Sequence, residues 1–330
     1  MKKIIFLSLA LLSLVLLGCG YISTGSGSKS QYVDVRVGIY GLVAEFAKNA
    51  PPQTVFEDGK FAVVLRIRNA GAYDIKNGLI TFGLEKDYVP QIALQDNPAA
   101  ISDETLNFDI RGKSLIDQRG EENVISLQAT AGKLDPQSES KQSTLTATFC
   151  YPYKTIASAT VCIDPDIANI RPVKKVCQVN DINLNRGQGA PIAVRKIETR
   201  IVPDVEKVKP QFLIYLENTG QGIAVNPKGY TIPCQKSEFN GEDLWNVAYL
   251  KVYSSESKGE NQLLCTPSLE NDETTGILRF RDKKDFIRCT YKDGISANSD
   301  TYTSPIRIEI EYGYVQTIAT NFNIQKPLKY

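Results

Sequence analysis

The segment LTATFCYPYKTIASATVCI, residues 145–163, decides the fold. Leu145, Ala147 and Phe149 alternate with polar residues, the period of a strand that turns one face to a core. The segment IRIEIEYGYVQTIATNFNI, residues 306–324, repeats the pattern without gaps at an offset of 161. Ile306, Ile308 and Ile310 fall on the first apolar set, Tyr312 and Tyr314 on Tyr151 and Tyr153, and Phe322 and Ile324 on Val161 and Ile163. Each copy reads as two antiparallel strands joined by a tight connection after the Tyr-x-Tyr, closing one half of the chain.

The halves also begin alike. Val63, Leu65, Ile67, Asn69 and Gly71 match Phe212, Ile214, Leu216, Asn218 and Gly220 at an offset of 149. Both are alternating strands ending on Asn-x-Gly, where glycine supplies the backbone freedom a turn needs. Between these ends, further strand-like runs occupy 33–43, 78–85, 89–95, 104–111 and 123–130, then 192–202, 223–232, 246–253, 262–265, 276–281 and 286–291. Short alternating strands, with Pro51-Pro52 and Asp135-Pro136 as loop punctuation, predict an all-β chain of two tandem immunoglobulin-like antiparallel β-sandwiches. The expected boundaries are 32–168 for the first domain, 169–190 for a linker and 191–327 for the second. The linker carries Pro172, Cys177 and the run RGQGAP at 186–191.

Ahead of the first domain, Lys2 and Lys3 precede an apolar run from Ile4 to Leu17. That is the form of a secretory signal, here residues 1–18, and its ending Leu16-Leu17-Gly18-Cys19 resembles a prokaryotic lipoprotein box. The resemblance implies lipid on Cys19 and anchorage to a membrane. A run of about 14 residues is short against the roughly 20 that span a bilayer, and Leu16 at −3 does not suit ordinary cleavage. Residues 19–31 read as a flexible tether reaching roughly 20 Å.

In an exported chain, the repeated strand ending in Asn-x-Gly resembles CARDB-type and related immunoglobulin-like modules of bacterial and archaeal surface proteins. The resemblance covers residues 32–168 and 191–326. It implies a class of role only: adhesion, spacing or extracellular assembly.

Composition narrows the chemistry. Lys and Arg number 38 against 37 Asp and Glu, and no basic cluster exceeds a pair such as Lys174-Lys175 or Lys283-Lys284. Nucleic acid is therefore not an expected partner. Histidine is absent, which removes the commonest general base and metal ligand together. Ser-His-Asp and Cys-His nucleophiles need that imidazole. Paired carboxylates, a Ser-Lys dyad and oxygen-ligated cations remain, but Ser254 to Lys258 has the wrong spacing for S-x-x-K, and no phosphate-cradling loop follows a strand. No cofactor and no metal is expected.

Assigning Cys19 to lipid leaves six of the seven cysteines: Cys150, Cys162, Cys177, Cys234, Cys265 and Cys289. Their spacing holds no C-x-x-C knuckle, so three disulfides are expected in an oxidising compartment, with fifteen possible connectivities. A bridge between Cys150 and Cys162 suits a hairpin centred near residue 156. Cys162 with Cys177 competes with it.

Tyr151, Tyr153, Tyr312 and Tyr314 could stack on sugars, but their recurrence in both copies points to packing with hydroxyls bonded to nearby backbone. The lone Trp245 is a core anchor or a binding platform. Asp164-Pro165-Asp166 and the acidic run 270–273 could offer oxygens to Ca²⁺, though neither is an EF-hand loop. The leading expectation is a non-catalytic, lipid-anchored surface protein meeting an envelope or extracellular partner. The alternatives are a ligand-binding lipoprotein, holding a saccharide, peptide or Ca²⁺ near RGQGAP, and a carboxylate-based envelope hydrolase.

Overall fold

Alternating sequence becomes extended backbone along almost the whole chain. The computed structural model describes residues 34–96, 101, 104–172, 174–235, 237–238, 243–254 and 263–327. The signal segment, Cys19 and the tether lie outside the described residues.

In chain order the first half holds β1 (Leu42–Phe46), β2 (Thr54–Phe56), β3 (Lys60–Asn69), β4 (Ile75–Gly83), β5 (Gln91–Leu94), β6 (Thr105–Ile110), β7 (Glu122–Thr130) and β8 (Ser140–Ile163). The second holds β9 (Ile182–Asn183), β10 (Ile192–Asp204), β11 (Lys207–Asn218), β12 (Ile223–Val225), β13 (Val247–Ser254) and β14 (Leu264–Thr266). It ends with β15 (Ser268–Leu269), β16 (Asp272–Arg279), β17 (Lys284–Thr290), β18 (Ile295–Ser296) and β19 (Tyr302–Gln325). The run expected as strand over 223–232 stops at Val225 and gives way to a helical turn, Ile232–Gln235. The run 33–43 becomes regular strand only from Leu42.

These strands form three sheets. One outer sheet orders β1-β3-β7-β5, and the other orders β14-β17-β11-β10-β9 with β18 on β11. Both pack on the same face of a central sheet shared by the two halves, β15-β16-β13-β19-β8-β4-β6. Inward residues of β3 (Phe61, Val63, Leu65, Ile67) and of β11 (Phe212, Ile214, Leu216) are buried against it. The architecture is therefore all-β sandwich. Val35 onward clusters as one compact unit, because the halves hold the central sheet in common.

The hairpins expected after each Tyr-x-Tyr do not form. β8 and β19 each run straight for 24 residues and pair antiparallel from Ser140↔Gln325 to Ile163↔Tyr302. The physical reason is that each copy finds its backbone partners in the other copy instead of in itself. At the centre Pro152 faces Gly313, its own counterpart in the repeat, with Tyr151↔Tyr314 and Tyr153↔Tyr312 beside it. A pseudo-two-fold axis thus passes through that pair.

The principal strands obey the same axis, while β2, β9, β12, β15 and β18 have no counterparts. Leu42↔Asn69 corresponds to Ile192↔Asn218, Val63↔Leu127 to Phe212↔Cys289, and Leu79↔Cys150 with Leu79↔Asn107 to Tyr249↔Glu311 with Tyr249↔Ile277.

The straight course of β8 also decides the disulfides. Twelve residues of strand separate Cys150 from Cys162, roughly 40 Å, whereas a disulfide needs α-carbons within about 7 Å. The expected Cys150–Cys162 bridge is therefore absent. Cys150 bonds Cys234, Cys162 bonds Cys177, and Cys265 bonds Cys289. Cys150 and Cys234 sit with Leu79, Val225 and Val315 in a small cluster on the far side of the central sheet from the main core. Three disulfides place the folded chain outside the cytoplasm.

Candidate functional site

The repeated motifs meet one another. Tyr153 donates its hydroxyl to Asn69 Oδ1 at 3.2 Å, and Tyr314 donates to Asn218 Oδ1 at 3.0 Å. The same oxygens accept the backbone N–H of Gly71 and of Gly220, so the Asn-x-Gly turn is closed by its own asparagine. Backbone N–H groups of Tyr73 and Gly222, equivalent positions, donate back to the two hydroxyls. Glycine is required at Gly71 and Gly220 because a β-carbon would strike the Tyr153 or Tyr314 hydroxyl. Tyr151 accepts from Leu42 N–H at 3.4 Å, while the Tyr312 hydroxyl lies 3.0 Å from Thr155 Oγ1.

All four rings are buried, and neighbouring centroids lie 5.8–6.2 Å apart. They present no face to a sugar. Burial pushes the Tyr314 phenol up to about 12 and those of Tyr151 and Tyr312 well above their ordinary range. The RGQGAP run belongs to the same clasp. Pro191 O accepts from Thr219 N and Thr219 Oγ1, and Gln188 forms two bonds with the backbone of Val194.

The acidic candidates are occupied as well. Lys175 Nζ sits among Asp164 Oδ2 at 2.5 Å, Asp166 O at 2.9 Å and Asn169 Oδ1 at 2.5 Å. An ammonium fills the place a cation would take. Burial alone would raise the Asp164 carboxyl, but hydrogen bonds from Lys175 and Thr301 outweigh it and hold it low. Asp272 accepts from the hydroxyls and N–H groups of Thr274 and Thr275, which bring its carboxyl to about 2. Trp245 is 49% exposed and is not a core anchor. Its neighbour Leu244 packs on the Cys150–Cys234 cluster instead.

Among the clefts of the described residues, one pair lies where the strand crosses from the central sheet to an outer sheet, β6 to β7 in the first half and β16 to β17 in the second. Each crossing holds a cleft, of about 360 Å³ and about 620 Å³. The clefts are equivalent under the pseudo-two-fold axis. Ile67, Asp96, Asn107, Asp109, Asn123 and Val124 in one correspond to Leu216, Pro267, Ile277, Arg279, Asp285 and Phe286 in the other.

Their chemistry is opposite. Asp96 and Asp109 line the first cleft, and no Lys or Arg is among the described residues of its wall. Arg195, Arg279, Arg281 and Lys284 line the second, with Glu217 and Asp285. The cross-strand pair Arg68↔Glu122 becomes Glu217↔Lys284, and Arg66↔Val124 becomes Tyr215↔Phe286.

Several charges in the second cleft are already placed. Glu217 bonds Arg195 at 3.1 Å and lies 3.9 Å from Lys284, while Arg279 bonds Asp243 at 2.7 Å. Arg281 has no carboxylate partner among the described residues. Beside it the rings of Tyr215 and Phe286 stack at 5.6 Å and 28°, with Phe286 55% exposed.

Sequence reading missed this site. Tyr215 and Phe286 stand at outward parity, beside inward Ile214 and Leu216 and inward Ile287, and that parity was the available signal.

No protein-family model matches the chain, and no curated relative does. Among solved structures, it is similar to the secreted serine protease VesC from Vibrio cholerae at 13% identity and TM-score 0.21, covering 82% of this chain and 50% of that one. The chain thus spans about half the length of the protease. The C-terminal domain of the Streptococcus agalactiae AgI/II polypeptide BspA matches at 8% identity and TM-score 0.21, covering 86% and 98%. The CupB6 tip adhesin from Pseudomonas aeruginosa matches at 11% and TM-score 0.20, covering 89% and 100%. Likenesses at these values transfer no residue, activity or partner to the chain.

Proposed function

We propose that this protein is a lipid-anchored, non-catalytic interaction module of the cell envelope, held by Cys19 and meeting its partner through the cleft between β16 and β17. One observation carries the reading. The two halves keep the same strands and the same tyrosine–asparagine clasp, yet they diverge in charge and aromatic content at one equivalent place. Features the fold needs recur in both copies, so a cationic aromatic cleft present in one copy alone answers to something other than folding. An exposed ring such as Phe286 beside arginines is the composition of an interface centre.

The lipid is tested by fractionation: Cys19→Ser is expected to leave the membrane fraction, and retention there overturns the anchor. The cleft is tested by capture of envelope components with wild type and with the double variant Arg279→Glu, Phe286→Ala. Loss of capture is expected in the variant, and equal capture overturns the assignment.

A further inference from the structure

We infer that the cationic cleft takes an acidic saccharide, a sugar ring bearing a carboxylate, an inference that rests on the reading of this cleft as the partner-facing surface. The volume of about 620 Å³ lies within the range of small-ligand sites. Its walls are largely apolar, from Leu216, Pro267 and Ile277, and one side is the stacked pair Tyr215 and Phe286. The Phe286 ring, 55% exposed and backed by Tyr215, suits the apolar face of a pyranose.

The polar groups converge as such a ligand requires. Arg281, with no carboxylate partner among the described residues, offers a planar fork that fits a carboxylate with two parallel N–H bonds. Arg279 stands two residues before it on the same crossing, with its side chain 45% exposed and its guanidinium bonded to Asp243. Glu217 and Asp285 are fixed by Arg195 and by the backbone N–H of Arg279, and both can accept sugar hydroxyls. An extended acidic peptide fits less well, since the floor presents rings and aliphatic side chains where a peptide backbone needs donors and acceptors. The equivalent cleft in the first half repels the same ligand, because Asp96 and Asp109 line it and Arg66↔Val124 replaces the ring pair.

The test is titration of the full chain with polygalacturonate, its fully methyl-esterified form, dextran and poly-glutamate. Binding to polygalacturonate at least tenfold tighter than to each of the other three is expected. Arg281→Glu and Phe286→Ala are each expected to weaken it at least tenfold, with melting temperature confirming that the variants are folded. Arg111→Glu, at the position equivalent to Arg281, is expected to bind as wild type does.

Equal binding of the esterified polymer or of poly-glutamate overturns the inference, as does an unaffected Arg281→Glu. If polygalacturonate fails while photo-crosslinks from position 286 to an envelope component persist, the saccharide is wrong and the interaction reading stands. If the crosslinks fail too, both fall.

Discussion

Tyr314 donates its hydroxyl to Asn218 across 96 residues of chain, and the bond ties the last strand of the second half to the Asn-x-Gly turn that follows β11. Tyr153 and Asn69 do the same across 84 residues. The two clasps lie back to back at the axis of the molecule, where Tyr151 touches Tyr314 and Tyr153 touches Tyr312.

Removing the Tyr314 hydroxyl leaves the Gly222 N–H without its acceptor and the Asn218 oxygen with the Gly220 N–H alone. Tyr314→Phe is expected to cost about 1–3 kcal/mol, read as a lower urea midpoint with an unchanged slope. Tyr153→Phe is expected to cost a similar amount. The two rings touch Tyr151 and Tyr312 but not each other, and their hydroxyls bond different asparagines, so the double variant is expected to be additive within about 0.5 kcal/mol.

The buried phenols set the alkaline limit. Folding raises the Tyr314 pKa from 10.0 to about 12, so the folded chain keeps a proton that the unfolded chain has lost. Stability is therefore complete below pH 10 and falls as pH rises toward 12, by about 1.4 kcal/mol per pH unit for each such tyrosine. Phenolate absorbance is expected to rise in step with unfolding, and smooth titration of all tyrosines in the folded state contradicts it.

The three disulfides close loops of different length, with separations of 84, 24 and 15 residues. Chain-entropy reasoning ranks their removal at about 4.6, 3.4 and 3.0 kcal/mol. Paired alanine replacement of Cys150 with Cys234, Cys265 with Cys289 and Cys162 with Cys177 is expected to lower the urea midpoint in that order. Peptide mapping without reduction is expected to find these three links and no free thiol among the six.

Lys175 stands where Asp164, Asp166 and Asn169 could otherwise hold a metal. Asp164 is held below its ordinary range, so its contribution is present above the unfolded pKa and fades as pH falls through the folded value. Lys175→Met is expected to remove that contribution and move the acid unfolding midpoint to higher pH. Millimolar Ca²⁺ is expected to leave the wild-type melting temperature unchanged.

Local pattern made the fold class, the strand runs and the structural use of the tyrosines readable in sequence. The partner of each closing segment was not readable, because a strand's period is the same whether it pairs with itself or with a distant copy. One clue was present: the inward parity from Ser143 to Ile163 runs unbroken through Tyr151 and Tyr153, as a single strand demands. The missed hairpin then carried the missed disulfide with it.

The clefts were hidden for a different reason. The β6–β7 connection spans residues 111–121 and the β16–β17 connection only 280–283, so no single offset aligns the two crossings. Their equivalence emerges only from strand pairing.

The central claim is that this protein meets its partner through the second cleft and not through its counterpart. A photo-crosslinking residue placed at 286 and, separately, at the equivalent position 124 tests it in intact cells. Crosslinks to an envelope component from 286 and none from 124 are expected. Equal crosslinking from both positions, or none from 286, contradicts the account.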